Sequence, residues 1–555
     1  MSDKFRKLLS VAFSVFLICI MIISGTACGI GEREEVNEDA AVLNVINYDG
    51  GVGHAWLDAV IERFEAKHAD AKYVEGKKGV DINVLNTKTV TFEGLNTSEY
   101  SVYFAQGVRF NELQAMGRLL NISDIVTEKA ENGKSIESKM SEKLSDALKG
   151  YDGEYYVLPH YQSFDGVTYN KTVFDENNFY FAAEKTDYVS AKEGDPAYGF
   201  VKNADCKKTC GPDGEFDTED DGLPSSVEEF KRLCEYMKAK SVTPFIYYGG
   251  NNGEAYRNKL INALWVSLEG YDGATAQFSF DSGESKSRIV TGFNGGKPVS
   301  ELKTIKSENM ADVYQQESKF YALDFFEYVF KNENNYHSAS VNSVYSHTDI
   351  QKLFLKDGVG MLLEGTYWEN EARSSGTFEI YKDLKNVETR CMPLPIQGTG
   401  SVAEGRGRKP VMIDTLNAYA FINANTQSKF GDGIVKLAKD FLKFCYTDES
   451  LAEFTEKSSV SKNLRYSLSD EQASALTNYG KSMWNLKNGG LVVTPISDNV
   501  IFIKNPTVFD MTDTKIWKIA ETDYPAVAFT DSAIDAKTYF LKMKKDEAWL
   551  NSLKK

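Results

Sequence analysis

Histidine is scarce in this chain, and no metal-binding spacing uses what there is. The 555 residues hold five His, with no HExxH and no CxxC, which removes the ligand sets of the common zinc enzymes. Positive charge is also in deficit. Against 63 Lys+Arg stand 80 Asp+Glu, a formal charge of −17; such a surface repels phosphate backbones and anionic lipid, so no nucleic acid is expected as a partner. Beyond the N-terminal segment no apolar run approaches the ~20 residues needed to span a bilayer. Internal repeats and low-complexity tracts are absent. The Gly50-Gly51 turn lacks both the lysine of a P-loop and the full dinucleotide fingerprint, which discounts nucleotide binding there.

The N-terminus reads as an export leader. Lys4, Arg6 and Lys7 precede an apolar run from Leu8 to Ile23, and Ser24, Gly25, Thr26 and Ala27 lead to Cys28. Residues 1–27 are therefore assigned as signal peptide, with Cys28 as the lipidation site and 28–41 as a polar tether. Gly25 stands where a lipobox usually has Leu, and an ordinary signal peptide is the alternative. The chain left after the leader is too long for one core and suits two lobes.

Val42–Tyr48 alternates as a strand does and runs into Gly50, Gly51 and Gly53. Leu57, Val60, Ile61 and Phe64 then recur at helical spacing, so strand, glycine turn and helix open an α/β lobe. A second helix is expected over Pro224–Lys240, with Ser226 and Glu229 as a capping box, and a third over Gly433–Tyr446. Leu416–Ile422 and Val359–Leu363 read as buried strands. Cys234 and Cys445 fall on apolar helix faces, while Cys391 stands alone. Cys206 and Cys210 lie close in a loop where an exported chain could close a disulfide. The same region carries Asp213, Asp217, Asp220 and Asp221 among glycines, oxygens that could hold a structural Ca²⁺, although Pro224 replaces the Glu of an EF-hand. No other cofactor is expected.

Four stretches, in order along the chain, resemble the extracellular solute-binding proteins that serve sugar ABC importers, the maltose-binding-like group. They are Asn47-Tyr-Asp-Gly-Gly with the Trp56–Phe64 helix; Phe164-Asp-Gly-Val-Thr-Tyr-Asn-Lys-Thr-Val-Phe174; Gly360-Met-Leu-Leu-Glu-Gly-Thr-Tyr-Trp368; and Ala420-Phe-Ile-Asn-Ala424, continued by Ala438–Leu442 and Thr447–Leu451. The resemblance implies an α/β, two-lobed periplasmic-binding-protein-like fold of class II, with hinge crossings between the lobes and a ligand cleft. Lobe 1 would comprise 42–163 plus 416–495, and lobe 2 164–415 plus 496–555. Crossings are expected near Gln162–Gly166, Ile413–Leu416 and Val493–Asn505. Residues 175–224 stand out as an insertion, with 270–315 as another candidate.

Sugars need aromatic plates for their C–H faces and fixed polar groups for their hydroxyls. Trp368 is the leading plate, with Tyr247 and Tyr248 ahead of Gly249-Gly250 as further candidates. Asp165 and Gln162 at the first crossing, Asp49 at the first strand end, and Glu364 beside the Trp368 loop are the polar candidates; Trp265 belongs in the core, and Tyr169, Asn170 and Lys171 seat the chain. The function expected is a non-enzymatic, monomeric receptor on the extracellular face of a Gram-positive-type envelope, bound to the membrane through its lipid anchor only. It would capture a carbohydrate, an oligosaccharide, and deliver it to an ABC permease. A receptor for another solute, such as a peptide, polyamine or metal complex, is the alternative, and a secreted glycosidase a more distant one, since carboxylate pairs leave no spacing signature.

Overall fold

The computed structural model describes residues 37–130, 133–150, 152–250, 253–380, 386–399, 409–414, 417–495, 516–517, 525–531 and 534–543. The leader, Cys28 and most of the tether lie outside the described residues. Its strands are β1 (Ala41–Tyr48), β2 (Val80–Thr87), β3 (Val102–Ala105), β4 (Val157–Pro159), β5 (Asp165–Asn170), β6 (Phe245–Ile246), β7 (Lys286–Asn294), β8 (Lys297–Thr304), β9 (Met361–Gly365), β10 (Thr389–Cys391), β11 (Val411–Ile413), β12 (Tyr419–Ile422) and β13 (Leu491–Val493). The helices used below are α1 (Ala55–Lys67), α2 (Val227–Ala239), α3 (Gly253–Glu269), α4 (Glu317–Phe330), α5 (His347–Lys356), α6 (Trp368–Ser374), α7 (Asn425–Cys445), α8 (Asp448–Ser458) and α9 (Asn478–Gly489).

The first sheet has the order β2-β1-β3-β12-β4. β1 buries Ala41, Leu43 and Val45 on one face and pairs in parallel with β2 and β3, while β12 runs antiparallel between β3 and β4. Parallel strands place their carboxyl ends on one edge, where loops are free to carry a site. The α1 stripe buries Trp56, Leu57, Val60 and Phe64. Phe64 meets Phe441 of α7 edge-on at 5.1 Å, and Trp56 meets Phe104 of β3 at 5.1 Å. Burying a side chain of this size contributes roughly 1.5–3 kcal/mol, so the stripe alone outweighs any helix propensity. α7 starts eight residues before the expected Gly433, and the two segments join at Gly431, whose φ of +78° only glycine adopts freely.

The second sheet has the order β10-β5-β9-β6, with β5 antiparallel to β9 and β10, and β6 parallel to β9. α2 caps as expected at Ser226, whose Oγ accepts from Glu229 N at 3.1 Å, although the Glu229 carboxylate returns to Ser225 N rather than to Ser226. Phe230 of α2 stacks on Phe325 of α4 at 4.4 Å. Trp265 is buried, as expected, and donates to Gln316 Oε1 at 3.1 Å. β7 and β8 form a hairpin within 270–315. Residues 175–224 form no long element, yet Phe179, Tyr180, Phe181, Phe200 and Val201 are buried, and the chain is stitched by bridges such as Phe181↔Phe200.

One expectation for this segment, the disulfide, is corrected. Cys206 and Cys210 are both thiols, not bonded to each other; Cys206 Sγ donates to Asn203 Oδ1 at 3.3 Å. The acidic loop uses its carboxylates on itself: Asp220 Oδ2 accepts from Asp213 N at 3.0 Å, Asp221 Oδ2 accepts from Asp217 N at 2.9 Å, and Thr218 Oγ1 donates to Asp220 Oδ1 at 2.8 Å. Among the described residues no three His, Cys, Asp or Glu side chains gather to hold a metal, so geometry lends the calcium expectation no support.

The chain passes between the sheets first at residues 160–164, between β4 and β5, and again between β11 and β12, where 415–416 lie outside the described residues. Phe164 pairs with Asp414, joining these two passages. The third differs from expectation: α9 already belongs with the second sheet, since Tyr479 and Met483 pack with Trp368 and Phe164, and β13 pairs with β11. The passage therefore falls between α8 and α9; of the expected 493–505, residues 496–505 lie outside the described residues. Gln162 N donates to Ser461 O at 2.8 Å and ties it to the first.

Candidate functional site

The carboxyl ends of β1, β2, β3 and β4 face those of β6 and β9 across the junction of the lobes. β1 runs through Tyr48 and Asp49 into Gly51, at φ +75°, where a Cβ would stand 2.9 Å from the Tyr367 ring. Only glycine permits both the turn and this approach. Asn370 Nδ2 of α6 donates to Gly51 O at 2.7 Å, a direct contact between the lobes. Beyond β3, Gln106 accepts from the Tyr161 hydroxyl at 2.6 Å. Asp49 meets His54 Nδ1 at 3.0 Å.

On the opposite wall, Lys259 of α3 is buried; its Nζ donates to the Tyr367 hydroxyl at 3.4 Å and lies 5.5 Å from the centroids of both Tyr256 and Tyr367. Tyr256 packs edge-on with Tyr248 at 5.2 Å, and Tyr248 with His347 at 6.2 Å. Gln351 Nε2 donates to Glu371 Oε2 at 3.1 Å, and His347 Nε2 stands 4.0 Å from the same oxygen. Burial pushes the Glu371 carboxyl up, while His347, Gln351, Lys259 and Lys88 pull it back. Lys88 follows β2 in the other lobe. Burial, then Glu371, raises the Tyr48 hydroxyl, and burial, then Glu364 and Tyr367, raises that of Tyr256. These shifts keep the phenols protonated, so each ring presents an O–H that can donate or accept.

The result is a cleft edged by the half-buried Tyr48, Tyr248, Tyr256 and Tyr367, over the buried Tyr161, Lys259 and Glu364 and with Glu371, Asp49 and Gln106 beside them. Flat apolar faces with polar rims and charged hydrogen-bonding groups suit a ligand that is itself a ring of C–H faces and hydroxyls.

The expected residues distribute unevenly over it. Trp368 is not a plate: it is fully buried at the start of α6, edge-on to Phe354 at 5.7 Å and to Tyr479 at 5.4 Å. Its neighbour Tyr367, one residue earlier, occupies the cleft. Tyr247 is likewise core, against Phe330 and Tyr336, while Tyr248 faces the cleft. Gln162 is buried and turned away, its Oε1 accepting from Ser461 Oγ at 3.4 Å. Asp49 lies at the β1 end as expected, and Glu364 is buried near the end of β9. Asp165 opens β5 opposite Gly365, and its side chain lies outside what is described. Tyr169 is buried, and Asn170 caps the following helix by accepting from Val173 N. Tyr48, Gln106, Tyr161, Tyr256, Lys259, Tyr367 and Glu371 were missed; Tyr256 and Lys259 sit on a helix whose apolar run signals only core.

No protein-family model matches the chain, and no curated protein matches it. Solved structures do. The chitin oligosaccharide binding protein is 16% identical, with 93% of this chain and all of that one covered at a TM-score of 0.52. RafE in complex with raffinose gives 13%, 93% and 100%, at 0.51. The GacH receptor of Streptomyces glaucescens, solved unliganded and with acarbose, gives 12%, 93% and 99%, at 0.53. The chain has the two-lobed fold of the solute-binding proteins. At such identities the likeness is one of fold, and the site must speak for itself.

Proposed function

We propose that the protein is a membrane-tethered extracellular receptor that captures an oligosaccharide and delivers it to an ABC permease, without chemistry of its own. The observation that carries this is the tyrosine-edged cleft assembled from both lobes, in which Gly51, Tyr367 and Asn370 bring the two walls into contact. The structural neighbours support it, since their own ligands are raffinose, acarbose and, by its name, chitin oligosaccharides. Tyr367, Tyr48 and Tyr256 stack on pyranose faces in this reading, and Glu364, Glu371, Asp49 and Lys259 bond the hydroxyls. Closure around the ligand makes the surface that the permease reads. Attachment is through a lipid on Cys28; among the described residues no helix is long and apolar enough to cross a membrane. The protein acts as a monomer and needs no cofactor.

Thermal shift of the leaderless protein against mono- and oligosaccharides, peptides and polyamines tests the reading. A ligand bound only to the native state at a hundredfold excess over Kd adds about 2.7 kcal/mol of stability. A rise confined to one glycan class, with the glycan recovered intact, supports a sugar receptor. A rise with peptides or polyamines alone refutes the carbohydrate assignment, and hydrolysed glycan refutes the non-enzymatic one.

A further inference from the structure

A second cavity lies on the other side of the crossings. Side chains alternate along the extended passage at 160–164: the Tyr161 hydroxyl reaches Gln106 in the cleft, and Gln162 points the opposite way. There Gln162 helps to line a crevice of about 550 Å³ with walls from both lobes. One wall carries Lys134, Lys139 and Arg465, and the other Tyr271, Lys487 and Asn488.

Its charge runs against that of the chain. Four cations line it, and among the described lining residues there is no carboxylate. Asp448, outside the lining, pairs with Lys139 at 2.6 Å and reaches Lys134 at 3.8 Å, which offsets one charge. Lys487 and Arg465 rest on neutral carbonyls. Lys487 Nζ donates to Leu464 O at 2.8 Å, while Arg465 Nη2 donates to Ser138 O at 2.9 Å and Met140 O at 2.7 Å. Among the described residues these bonds use one of the three Lys487 donors and one nitrogen of the Arg465 fork, and both side chains are anchored in place. Lys487 also packs against Tyr466 and Trp484, at 4.2 and 4.7 Å from their centroids. Burial pulls its ammonium down to about 7, with no acid opposing the shift, so the crevice carries its full positive charge below pH 7 and a bound oxyanion favours the protonated form. An anchored surplus of cations in a partly dehydrated crevice, with amide donors at Gln162 and Asn488, is complementary to a multivalent oxyanion.

We propose that this crevice is a binding site for an oxyanion of the phosphate or polycarboxylate class, distinct from the ligand cleft. Calorimetry and thermal shift with sodium phosphate and sodium citrate, each against sodium chloride at equal ionic strength, test it on the leaderless protein with no sugar present. Its outcome is therefore independent of what the cleft binds. A saturable rise in Tm with either oxyanion is expected, with apparent affinity falling at least tenfold in Lys487→Met, which keeps the packing against Tyr466 and Trp484. The fall should be similar in Asn488→Asp, an exposed change that adds a carboxylate and gives up the bond from Asn488 Nδ2 to Trp484 O. No rise beyond that in chloride, or a rise equal in wild type and both variants, overturns the proposal.

Discussion

Replacing Lys462 by methionine should stabilise the first lobe at neutral pH and abolish part of its pH dependence. Lys462 is fully buried beside the first crossing, its Nζ donating to His160 O at 2.5 Å and lying 3.9 Å from the Phe454 centroid and 5.0 Å from that of Trp56. Burial pulls the ammonium down to about 7 from an ordinary 10.5, a difference that corresponds to ~5 kcal/mol of native-state penalty when the group must be charged. Between pH 7 and 10.5 the unfolded chain holds a proton that the native protein has released. Stability therefore climbs as pH rises through that window, by ~1.4 kcal/mol per pH unit, and is flat below it. Methionine removes the penalty but leaves the His160 carbonyl, and His160 Nδ1 at 3.2 Å, without this donor, together costing ~1–3 kcal/mol. Lys462→Met should accordingly be more stable than wild type by ~3 kcal/mol at pH 6.5, and the gain should vanish near pH 9. Urea unfolding at half-unit steps from pH 6.5 to 9.5, followed by hydrogen exchange of peptides from β4 and α8, reads the difference. Parallel profiles for the two proteins would refute the argument, because titrations elsewhere cancel between them.

Adjacent aromatics should separate binding from folding. Trp368→Ala, which empties a fully buried site, should cost ~3–5 kcal/mol in denaturant unfolding. Tyr367→Ala should cost far less stability yet lower ligand affinity at least tenfold by calorimetry, and Tyr367→Phe should restore most of it; an unchanged Kd in Tyr367→Ala would remove that residue from the site. Gly51→Ala forces a side chain into φ +75° and against the Tyr367 ring, so it should lose ~1–2 kcal/mol and bind ligand more weakly in the same assay. Asp220, buried in the acidic loop, has its carboxyl pushed up to about 7; the native state keeps a proton that the unfolded chain loses near its ordinary 3.8, so stability falls as pH rises from about 4 to 7. Asp220→Asn should therefore match wild type near pH 4.5 and melt higher at pH 8. A rise in the wild-type Tm at pH 8 on adding Ca²⁺ would show the loop's oxygens serving a metal instead.

The fold was legible wherever one face of an element meets the core. The α1 stripe and the alternation of β1 could be read because burial repeats with the period of the backbone, and β1 begins one residue before the Val42 read from that alternation. Gly431 hid the early start of α7, since a left-handed joint lets two short helices follow one another without a common stripe. Placing α9 depended on Tyr479 and Met483 meeting Trp368, a contact between residues more than a hundred positions apart that no local pattern encodes. The cysteines show a related limit: spacing made a Cys206–Cys210 bridge plausible, but backbone direction decides whether two Cβ atoms face each other.

In the site, position along a strand was readable and direction was not. Both Tyr247-Tyr248 and Tyr367-Trp368 put two aromatics at a strand end, and the sequence does not say which ring of each pair turns inward. Packing space decides: Trp368 fills a pocket between Phe354 and Tyr479, leaving Tyr367 to the cleft.

The placement of cleft and crevice on opposite sides of the same crossings leads to a last prediction. A rotation of the lobes about those crossings that parts Gly51 from Asn370 narrows the crevice behind, so an oxyanion sized to the crevice as it stands favours the arrangement in which the cleft walls touch. Linkage makes the effect reciprocal: citrate at saturation should raise the affinity for whichever sugar the panel identifies by the same factor by which that sugar raises the affinity for citrate, typically about 5-fold or more for coupled sites. Calorimetric sugar titrations with and without citrate measure the factor in one direction, and citrate titrations with and without sugar in the other. Equal sugar affinities in both conditions would mean that the two cavities do not share the hinge as a lever, whatever each of them binds.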